Sequence, residues 1–338
     1  MQVFFSPDHA RHAGHAELHR GELVPCFERP ERAEIVREAV RADGHDITEP
    51  PPADRSAIER VHPSAYVDFL ETAYDQWRGL GREGDATPHT WRVRSDGPPP
   101  ESLFGQLGHY VADAGTPITA GTWDALRAGA GVAEAARAFV DGGNPAALAL
   151  SRPPGHHAAA DLAGGYCFVN FAALAAEGFR HAGEERVAVL DVDFHHGNGT
   201  QDVFYARGDV LFASLHGDPA TSYPYFSGHA AEAGVGEGAG FTVNAPLPDG
   251  TAWPAYEAAL GRVLERVAAF GPGRLVVSLG VDTFEADPIS AFALRTGDFA
   301  SMAGRIASLG VPAVIVLEGG YHLPSVGRNV AAFLGGWA

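Results

Sequence analysis

Short, largely apolar runs alternate along this chain with longer amphipathic segments rich in alanine, and this alternation constrains the fold more than any other feature. The apolar runs have the length of β-strands and occupy residues 3–5, 147–150, 187–191, 210–215, 241–244, 275–279 and 313–317. The amphipathic segments have a helical repeat and occupy residues 124–140, 171–181, 253–270 and 296–309. Continuous apolar strands separated by helices are typical of a mostly parallel central sheet with helices on both faces. The sequence therefore predicts an α/β fold.

The domain organisation follows from the same alternation. A chain of 338 residues is long enough for one large domain or for two smaller ones. No internal repeat or linker interrupts the alternation, so we predict a single catalytic domain over residues 1–338. The exception is residues 78–108, which combine glycine, proline, aromatic residues and mixed charge with weak periodicity. We expect this long insertion loop to shape the active-site mouth or to be buried against a second subunit, and a disordered surface insertion is the alternative.

Charge and cysteine content limit the classes of partner. The formal net charge of −18, without any cluster of lysine and arginine, argues against a nucleic-acid partner and suits a small cationic substrate. Cys26 and Cys167 lie far apart in the sequence, so neither a disulfide framework nor a cysteine-ligated zinc is indicated. No apolar run reaches the length of a membrane span or of a secretory signal. We therefore expect a cytoplasmic protein with no membrane partner.

Polar side chains follow two of the predicted strands in a pattern that suits a metal ion. Asp193 and His195 come just after the run at 187–191, and residues two apart in an extended chain point the same way. Asp282 comes just after the run at 275–279. Ligands of parallel sheets bind at the carboxyl ends of the strands. Two carboxylates and one imidazole leave coordination positions open, as in a catalytic site. We expect Zn²⁺, although Fe²⁺, Co²⁺ or Mn²⁺ suits the same donors.

Two further strand-end motifs supply groups for the hydrolysis of an acyl bond. His156 and His157 stand in tandem in a glycine-bounded loop, and an imidazole can accept a proton from water and return it to a leaving amine. Tyr321 follows Gly319 and Gly320, which allow a tight turn, so its phenol could stabilise an oxyanion. Each motif alone is common by chance. Their joint occurrence at strand ends predicts a metal-dependent hydrolase.

Long motifs in this chain resemble those of a known family. They read, in order, RPPGHHA, GGYCFVN, LDVDFHHGNGTQ, SLHGDP, SLGVDTFEADP and LEGGY. They resemble the zinc-dependent histone deacetylase superfamily and, within it, the bacterial acetylpolyamine amidohydrolases. The likeness runs from Met1 to the C-terminus and includes the segment GELVPCFERPERAEIV. The resemblance implies a single-domain arginase-like or deacetylase-like α/β fold.

The resemblance also implies roles for individual residues. The zinc ligands that it implies are Asp193, His195 and Asp282. It makes His157 the proton shuttle, His156 its electrostatic companion and Tyr321 the oxyanion donor. Asp191 is expected to form a hydrogen bond with His156, and Asn198 stands where some relatives have an aspartate that faces the second histidine. Because a neutral asparagine favours the imidazolium less than a carboxylate does, we expect the two histidines to differ in basicity.

Further expectations from the resemblance concern monovalent ions and the substrate channel. Two structural K⁺ or Na⁺ sites are expected, mostly through backbone carbonyls. The first comprises Asp191, Asp193, His195, Ser214 and Leu215, and the second comprises Phe204, Arg207, Val210 and Phe241. Tyr166 and Tyr223 correspond to the aromatic walls of a narrow acyl channel. In polyamine-type relatives the loop matched by 78–108 helps to form a homodimer that narrows the entrance. Some of them carry an acidic residue at the mouth where this chain has Gly115, with Asp113 nearby.

The leading hypothesis is metal-dependent deacetylation of small N-acetylated amines, such as acetylpolyamines or acetyl-diamines, with release of acetate and the free amine. A protein or peptide acetyl-lysine deacylase and a deacetylase of a biosynthetic intermediate are the alternatives within the same chemistry. An arginase-like hydrolase would need a second metal, but Asp282 is followed by Thr283 and Phe284, which are not metal ligands. A catalytically inactive binding module is a further alternative, disfavoured because every expected ligand and Tyr321 are present.

Overall fold

The computed structural model describes residues 1–92 and 97–337. An eight-stranded sheet forms its centre, and all neighbouring strands in it are parallel. Its strands are β1 (Gln2–Phe4), β4 (Asp46–Thr48), β5 (Ala146–Ala149), β6 (Val187–Asp191), β7 (Val210–Gly217), β8 (Thr242–Leu247), β9 (Arg274–Leu279) and β10 (Ala313–Leu317). The spatial order is β4-β1-β5-β10-β9-β6-β7-β8. A separate antiparallel hairpin comprises β2 (Glu17–His19) and β3 (Glu22–Val24).

Helices connect and cover these strands. They are α1 (Glu31–Ala42), α2 (Arg55–Ile58), α3 (Ser64–Gly79), α4 (Leu103–Tyr110), α5 (Thr122–Asp141), α6 (Phe171–His181), α7 (Asn198–Phe204), α8 (Trp253–Phe270), α9 (Thr296–Ala307) and α10 (Leu323–Gly336). Short 3₁₀ turns occupy Pro7–Arg11 and Gly236–Gly238. Helix α8 shows why these elements have their bounds: proline stands in its first turn, and Gly271 ends it with φ 66°. None of the described helices is long and apolar enough to cross a membrane.

Apolar side chains are buried on both faces of the sheet, which explains the continuous apolar runs. Along β6, Val187 and Val189 belong to one apolar cluster, whereas Ala188 and Leu190 belong to a second cluster. Helices α3, α5 and α6 supply the first cluster, and α1, α8, α9 and α10 supply the second. Each fully buried valine or leucine contributes about 1.5–3 kcal/mol of transfer free energy. The two clusters therefore hold the central strands in place.

The predicted α/β class, all seven predicted strands and all four predicted helices are confirmed. The bounds agree within three residues, and four elements match without any difference; at 296–309, α9 ends at Ala307. The segment 78–108 is less irregular than expected: it contains the end of α3 and most of α4. Its residues 93–96 lie outside the described residues. Ala86 pairs with Ile118 in an isolated antiparallel bridge, so part of the segment packs onto the domain.

The strand order positions the functional motifs. β5, β10, β9 and β6 are consecutive in the sheet, and each of the four sequence motifs follows one of them. Because the strands are parallel, their carboxyl ends lie at the same edge. Residues that are up to 165 positions apart in the sequence, from His156 to Tyr321, are brought to that edge.

Candidate metal centre and active site

Two carboxylates and one imidazole converge where β6 and β9 end. The candidate ligand atoms of Asp193, His195 and Asp282 lie within 4.8 Å of one another, and all three side chains are buried. His195 Nδ1 is 3.0 Å from Asp282 Oδ2 and 3.3 Å from Asp193 Oδ1. Burial and the neighbouring Asp193 carboxylate raise the pKa of Asp282 to about 7. A divalent cation fits this set of oxygen and nitrogen donors and offsets the repulsion between the two buried carboxylates.

Backbone amides also donate hydrogen bonds to the two carboxylates. Asp282 Oδ1 accepts a hydrogen bond of 2.9 Å from the amide of Phe194. Asp193 accepts from the amides of His195 and Gly319, both at 2.8 Å. A Cβ atom at Gly319 would lie 2.4–2.5 Å from carboxylate oxygens of both aspartates. The turn after β10 therefore requires glycine there because the backbone passes directly against the candidate ligands.

The histidine pair lies beside this cluster with two different partners. His156 Nδ1 donates to Asp191 Oδ2 at 2.9 Å, and His157 Nδ1 donates to Asn198 Oδ1 at 2.6 Å. This assignment leaves both Nε2 atoms available for other groups. The ring centroids are 4.1 Å apart. The sequence-predicted contacts of Asp191 and Asn198 are therefore present in the structure.

The two histidines have opposite pKa shifts. Burial alone lowers the pKa of His156, but the carboxylates of Asp193 and Asp191 outweigh it and raise this pKa to about 10. Burial lowers the pKa of His157 well below its usual value, and the adjacent His156 and His195 lower it further. One ring of the pair is thus cationic and the other neutral near neutral pH.

Glu318 holds the loop that carries the histidines. One oxygen of its buried carboxylate accepts from the amides of Gly155 (2.6 Å) and His156 (3.1 Å), and the other accepts from Ser278 Oγ (3.2 Å). His156, Cys167 and Glu318 also lie close enough to bind a metal ion. Because these hydrogen bonds already engage both oxygens of Glu318, we interpret this second group as structural support.

A buried guanidinium positions Tyr321, and sequence reasoning missed it. The Arg32 guanidinium lies 4.5 Å from the centroid of the Tyr321 ring. It donates to the carbonyl oxygens of Gly320 and Glu318, both at 2.6 Å. The Glu28 carboxylate pairs with Arg32 on one side and, through two bonds of 2.8 Å, with Arg152. The turn that presents the phenol is therefore fixed from the side of α1.

The candidate centre opens into a pocket with tyrosine walls. The pocket has a volume of about 390 Å³, and its lining includes His157, His195 and Tyr321. The two predicted wall residues, Tyr166 and Tyr223, also line it. The Tyr223 ring stands perpendicular to His157 at 5.0 Å, and the Tyr166 ring lies 5.6 Å from Tyr321. All the predicted catalytic, metal-binding and channel side chains thus meet in one place.

Each wall phenol donates to a carboxylate that sequence reasoning did not assign. Tyr166 donates to Glu17 Oε1 at 2.8 Å, and Tyr223 donates to Asp113 Oδ2 at 2.9 Å. Asp113 also accepts from the amide of Gly165, which precedes Tyr166. Glu17 begins β2, and the β2–β3 hairpin lines the pocket mouth. None of the described residues within 78–108 lines the pocket of this chain.

The residues predicted for monovalent ions fall into two places. Asp191, the last residue of β6, is the register partner of Ser214 within β7, so the first predicted group surrounds the end of β6 and the adjoining part of β7. The second group lies at the other end of β7, which begins at Val210; Phe204 ends α7, and Phe241 directly precedes β8. Arg207 lies between α7 and β7, and Leu215 follows Ser214 within β7. Both sites stay predictions.

Comparisons with known proteins agree with this geometry. The histone deacetylase domain profile matches residues 26–337. Acetylpolyamine amidohydrolase 1 of Pseudomonas aeruginosa is 48% identical over 341 residues, which span 100% of this chain and 99% of that protein. Acetylpolyamine amidohydrolase of Mycoplana ramosa is also 48% identical, with 100% of both chains covered. A crystal structure of acetylpolyamine aminohydrolase from Burkholderia pseudomallei superposes with a TM-score of 0.96 at 40% identity, covering 100% of this chain and 98% of that chain. The predicted deacetylase-like fold is confirmed.

Proposed function

The chain belongs to the histone deacetylase family, and on that premise we propose that it is a zinc-dependent amidohydrolase that deacetylates small N-acetylated amines. Acetylpolyamines and acetyl-diamines are the substrates suggested by the names of its relatives. The single observation that carries the proposal is that the metal-binding side chains, the histidine pair and Tyr321 converge on one pocket. Each group has a role in the hydrolysis of an amide.

The metal would be held by three side chains that follow β6 and β9 in the sequence. Asp193, His195 and Asp282 supply two oxygen donors and one nitrogen donor, a set that suits Zn²⁺ and also Fe²⁺, Co²⁺ or Mn²⁺. When bound, such an ion polarises the acetyl carbonyl and makes water more acidic. The amides of Phe194, His195 and Gly319 hold the carboxylates in place before the ion binds.

The histidine pair transfers the proton. His157, neutral because of burial and its charged neighbours, accepts a proton at Nε2 from the attacking water. It then donates this proton to the amine nitrogen as the C–N bond breaks, so the products are acetate and the free amine. His156 stays protonated beside Asp191, and its positive charge stabilises the negative charge that develops nearby.

Tyr321 stabilises the carbonyl oxygen as it gains negative charge. Burial raises the pKa of its phenol well above the usual value, so the hydroxyl stays protonated and can donate a hydrogen bond. Arg32 contacts the Tyr321 ring and donates to the carbonyl oxygen of Gly320, and these two contacts fix the direction of the phenol. Neither contact involves the hydroxyl group.

The pocket and the charge of the chain suit a slender cationic substrate. The rings of Tyr166 and Tyr223 border a cavity of about 390 Å³, which suits an extended acyl-amine. The net charge of −18 attracts cations. Structural K⁺ or Na⁺ ions would bind at the two predicted groups, one at the end of β6 and one at the start of β7.

We further propose one catalytic domain over 1–338 that forms a cytoplasmic homodimer through residues 78–108. Leu80 and Trp91 lie within this segment, are exposed to 54% and 41%, and would supply apolar contact area to the interface. Cys26 and Cys167 are free and buried, which suits a reducing compartment.

A substrate panel tests the function. N-acetylputrescine, N-acetylcadaverine and acetyl-lysine peptides are assayed side by side with added Zn²⁺, and a His157→Ala variant serves as the inactive control. The proposal predicts a higher kcat/KM for the small amines than for the peptides. A preference for peptides would instead support a protein deacylase, and equal rates for wild type and His157→Ala would contradict the mechanism.

A further inference from the structure

The tip of the β2–β3 hairpin carries an arginine in an unfavourable backbone conformation. His19 pairs with Glu22, so Arg20 and Gly21 form a two-residue turn. Their φ angles are 50° and 89°. Turns with two positive φ angles favour asparagine, aspartate and glycine, and a larger side chain at the first position is strained. Such strain persists where a side chain is needed for another reason.

The Arg20 side chain lines the pocket that contains the candidate active site. Within residues 1–92 and 97–337, its guanidinium forms no hydrogen bond or ion pair. The other ionisable lining residues near the mouth include the carboxylates of Glu17, Asp113 and Asp249. In a chain with a net charge of −18, where acidic partners are abundant, an unpaired arginine at this position is available to an anionic group from outside.

The hairpin is fixed to the pocket wall, so the position of Arg20 is defined. Glu17, at the start of β2, is only 2% exposed. Its carboxylate accepts from the Tyr166 phenol at 2.8 Å and from the amide of Phe27 at 3.2 Å. Arg20 lies three positions after Glu17, or roughly 10 Å along an extended backbone. The mouth therefore presents carboxyl groups at the wall and positive charge at the hairpin tip.

We propose that Arg20 determines specificity and selects substrates whose far end carries a carboxylate beside an ammonium group. Such substrates are free amino acids with an acetylated side-chain amine. The α-carboxylate would bind the guanidinium, which suits carboxylates through paired hydrogen bonds. The α-ammonium would face the carboxylate of Asp113. A plain diamine offers Arg20 no anion, and its distal ammonium is repelled by the guanidinium. This inference rests on the proposed deacetylase function and narrows its substrate class.

Two matched pairs of substrates isolate the contribution of the carboxylate. Nε-acetyl-lysine is N-acetylcadaverine with one added carboxylate, and Nδ-acetylornithine is N-acetylputrescine with the same addition. The measured quantity is the ratio of kcat/KM within each pair. The inference predicts that wild type favours the carboxylated member, and that Arg20→Asn lowers the ratio about fivefold to tenfold. Arg20→Glu is expected to lower it further and to raise kcat/KM for N-acetylcadaverine.

The variants separate specificity from folding. Asparagine suits the turn better than arginine, so Arg20→Asn should have an unchanged or higher Tm. Arg262→Gln, on the exposed side of α8, removes one positive charge outside the pocket lining and is expected to leave both ratios unchanged. Hydrolysis of the diamines with ratios that Arg20→Asn does not alter would overturn this inference alone. Hydrolysis of none of the four compounds would overturn the proposed function and the inference with it.

Discussion

The position of Tyr321 is fixed by contacts of its backbone and its ring. Its amide donates to Asp287 at 2.7 Å, its ring lies against Arg32, and Gly320 before it has φ 128°. These contacts involve the backbone and the ring rather than the hydroxyl. The hydroxyl can therefore be removed while the rest of the residue stays in place.

Tyr321→Phe is expected to lower kcat for an acetylated amine by about 10²–10³, with little change in KM, because only the stabilisation of the developing oxyanion is lost. Tyr225→Phe, a change at the exposed pocket mouth, is the matched control and should leave kcat within about twofold. Steady-state kinetics and the unfolding midpoint of both variants provide the measurement. A Tyr321→Phe enzyme with the kcat of wild type would contradict the assigned role.

Glu17 carries a pH-dependent contribution to stability. Burial is the main cause that raises its pKa to about 7, although the hydrogen bonds from Tyr166 and Phe27 oppose it. The folded state thus binds a proton more tightly than the unfolded chain. This contribution is fully present below the usual pKa of a glutamate and is lost as the pH rises through about 7.

We expect the Glu17→Gln variant to lack this pH-dependent loss of stability, because glutamine does not titrate. From about pH 5 to about pH 8, the free energy of unfolding of wild type should fall by about 1–2 kcal/mol relative to the variant. This value is smaller than the pKa shift alone implies, because solvent at the pocket mouth screens the charge. Urea unfolding at several pH values measures the difference. A difference between the two proteins that is constant with pH would show that Glu17 is ionised throughout.

Residues that follow a recognisable strand could be located from the sequence. Asp193, His195 and Asp282 each come just after an apolar run, so the parallel sheet alone predicts that they meet. Arg32 could not be located in this way. Its hydrogen bond to Gly320 spans 288 positions, and a charged residue in an amphipathic helix is ordinarily exposed. Only the folded structure reveals that this arginine is 2% exposed.

At the scale of elements, α1 and the turn after β10 are joined by buried hydrogen bonds. Arg32 of α1 holds the carbonyls of the turn, and the Glu28 carboxylate, 3% exposed, lies between Arg32 and Arg152. Removal of one partner from a buried ion pair leaves an uncompensated charge. The helix therefore contributes to the active site through packing and charge rather than through contact with substrate.

Arg32→Met is expected to lower the free energy of unfolding by about 3–5 kcal/mol, because Glu28 loses one of its two buried partners. The matched control is Arg37→Gln on the same helix, whose partners Glu34 and Glu38 are solvent-accessible, and it should cost less than about 1 kcal/mol. Urea denaturation with comparison of the m-values measures both. Equal losses of unfolding free energy in the two variants would show that the buried ion pair of Arg32 stabilises the fold no more than a surface ion pair does.

Short or interrupted elements were not predicted from the sequence. β2, β3 and β4 have three residues each, too few to establish a periodic pattern. Helix α4 lies within the segment 78–108, where Gly105 and Gly108 weaken the helical pattern. The hairpin matters most among these because it forms part of the pocket mouth. Its pairing depends on the turn at Arg20, a residue that sequence preferences do not place in such a turn.

At the scale of the whole molecule, charge should govern the approach of substrate. A net charge of −18 generates a long-range attraction for cations, and dissolved salt screens it. We expect kcat/KM for N-acetylcadaverine to fall several-fold as tetramethylammonium chloride is raised from about 20 mM to about 200 mM at constant K⁺. Neutral N-butylacetamide is the control substrate. Equal salt dependence for the two compounds would contradict electrostatic attraction.

The proposed reaction requires a metal ion bound where β6 and β9 end. The most direct measurement is acetate release from N-acetylcadaverine by one preparation as purified, after removal of metal with a chelator, and after Zn²⁺ is returned. Activity should vanish on chelation and return with about one equivalent of Zn²⁺ per chain, whereas an Asp282→Asn protein should not recover. Full activity in the chelated, metal-free protein would contradict a metal-dependent reaction.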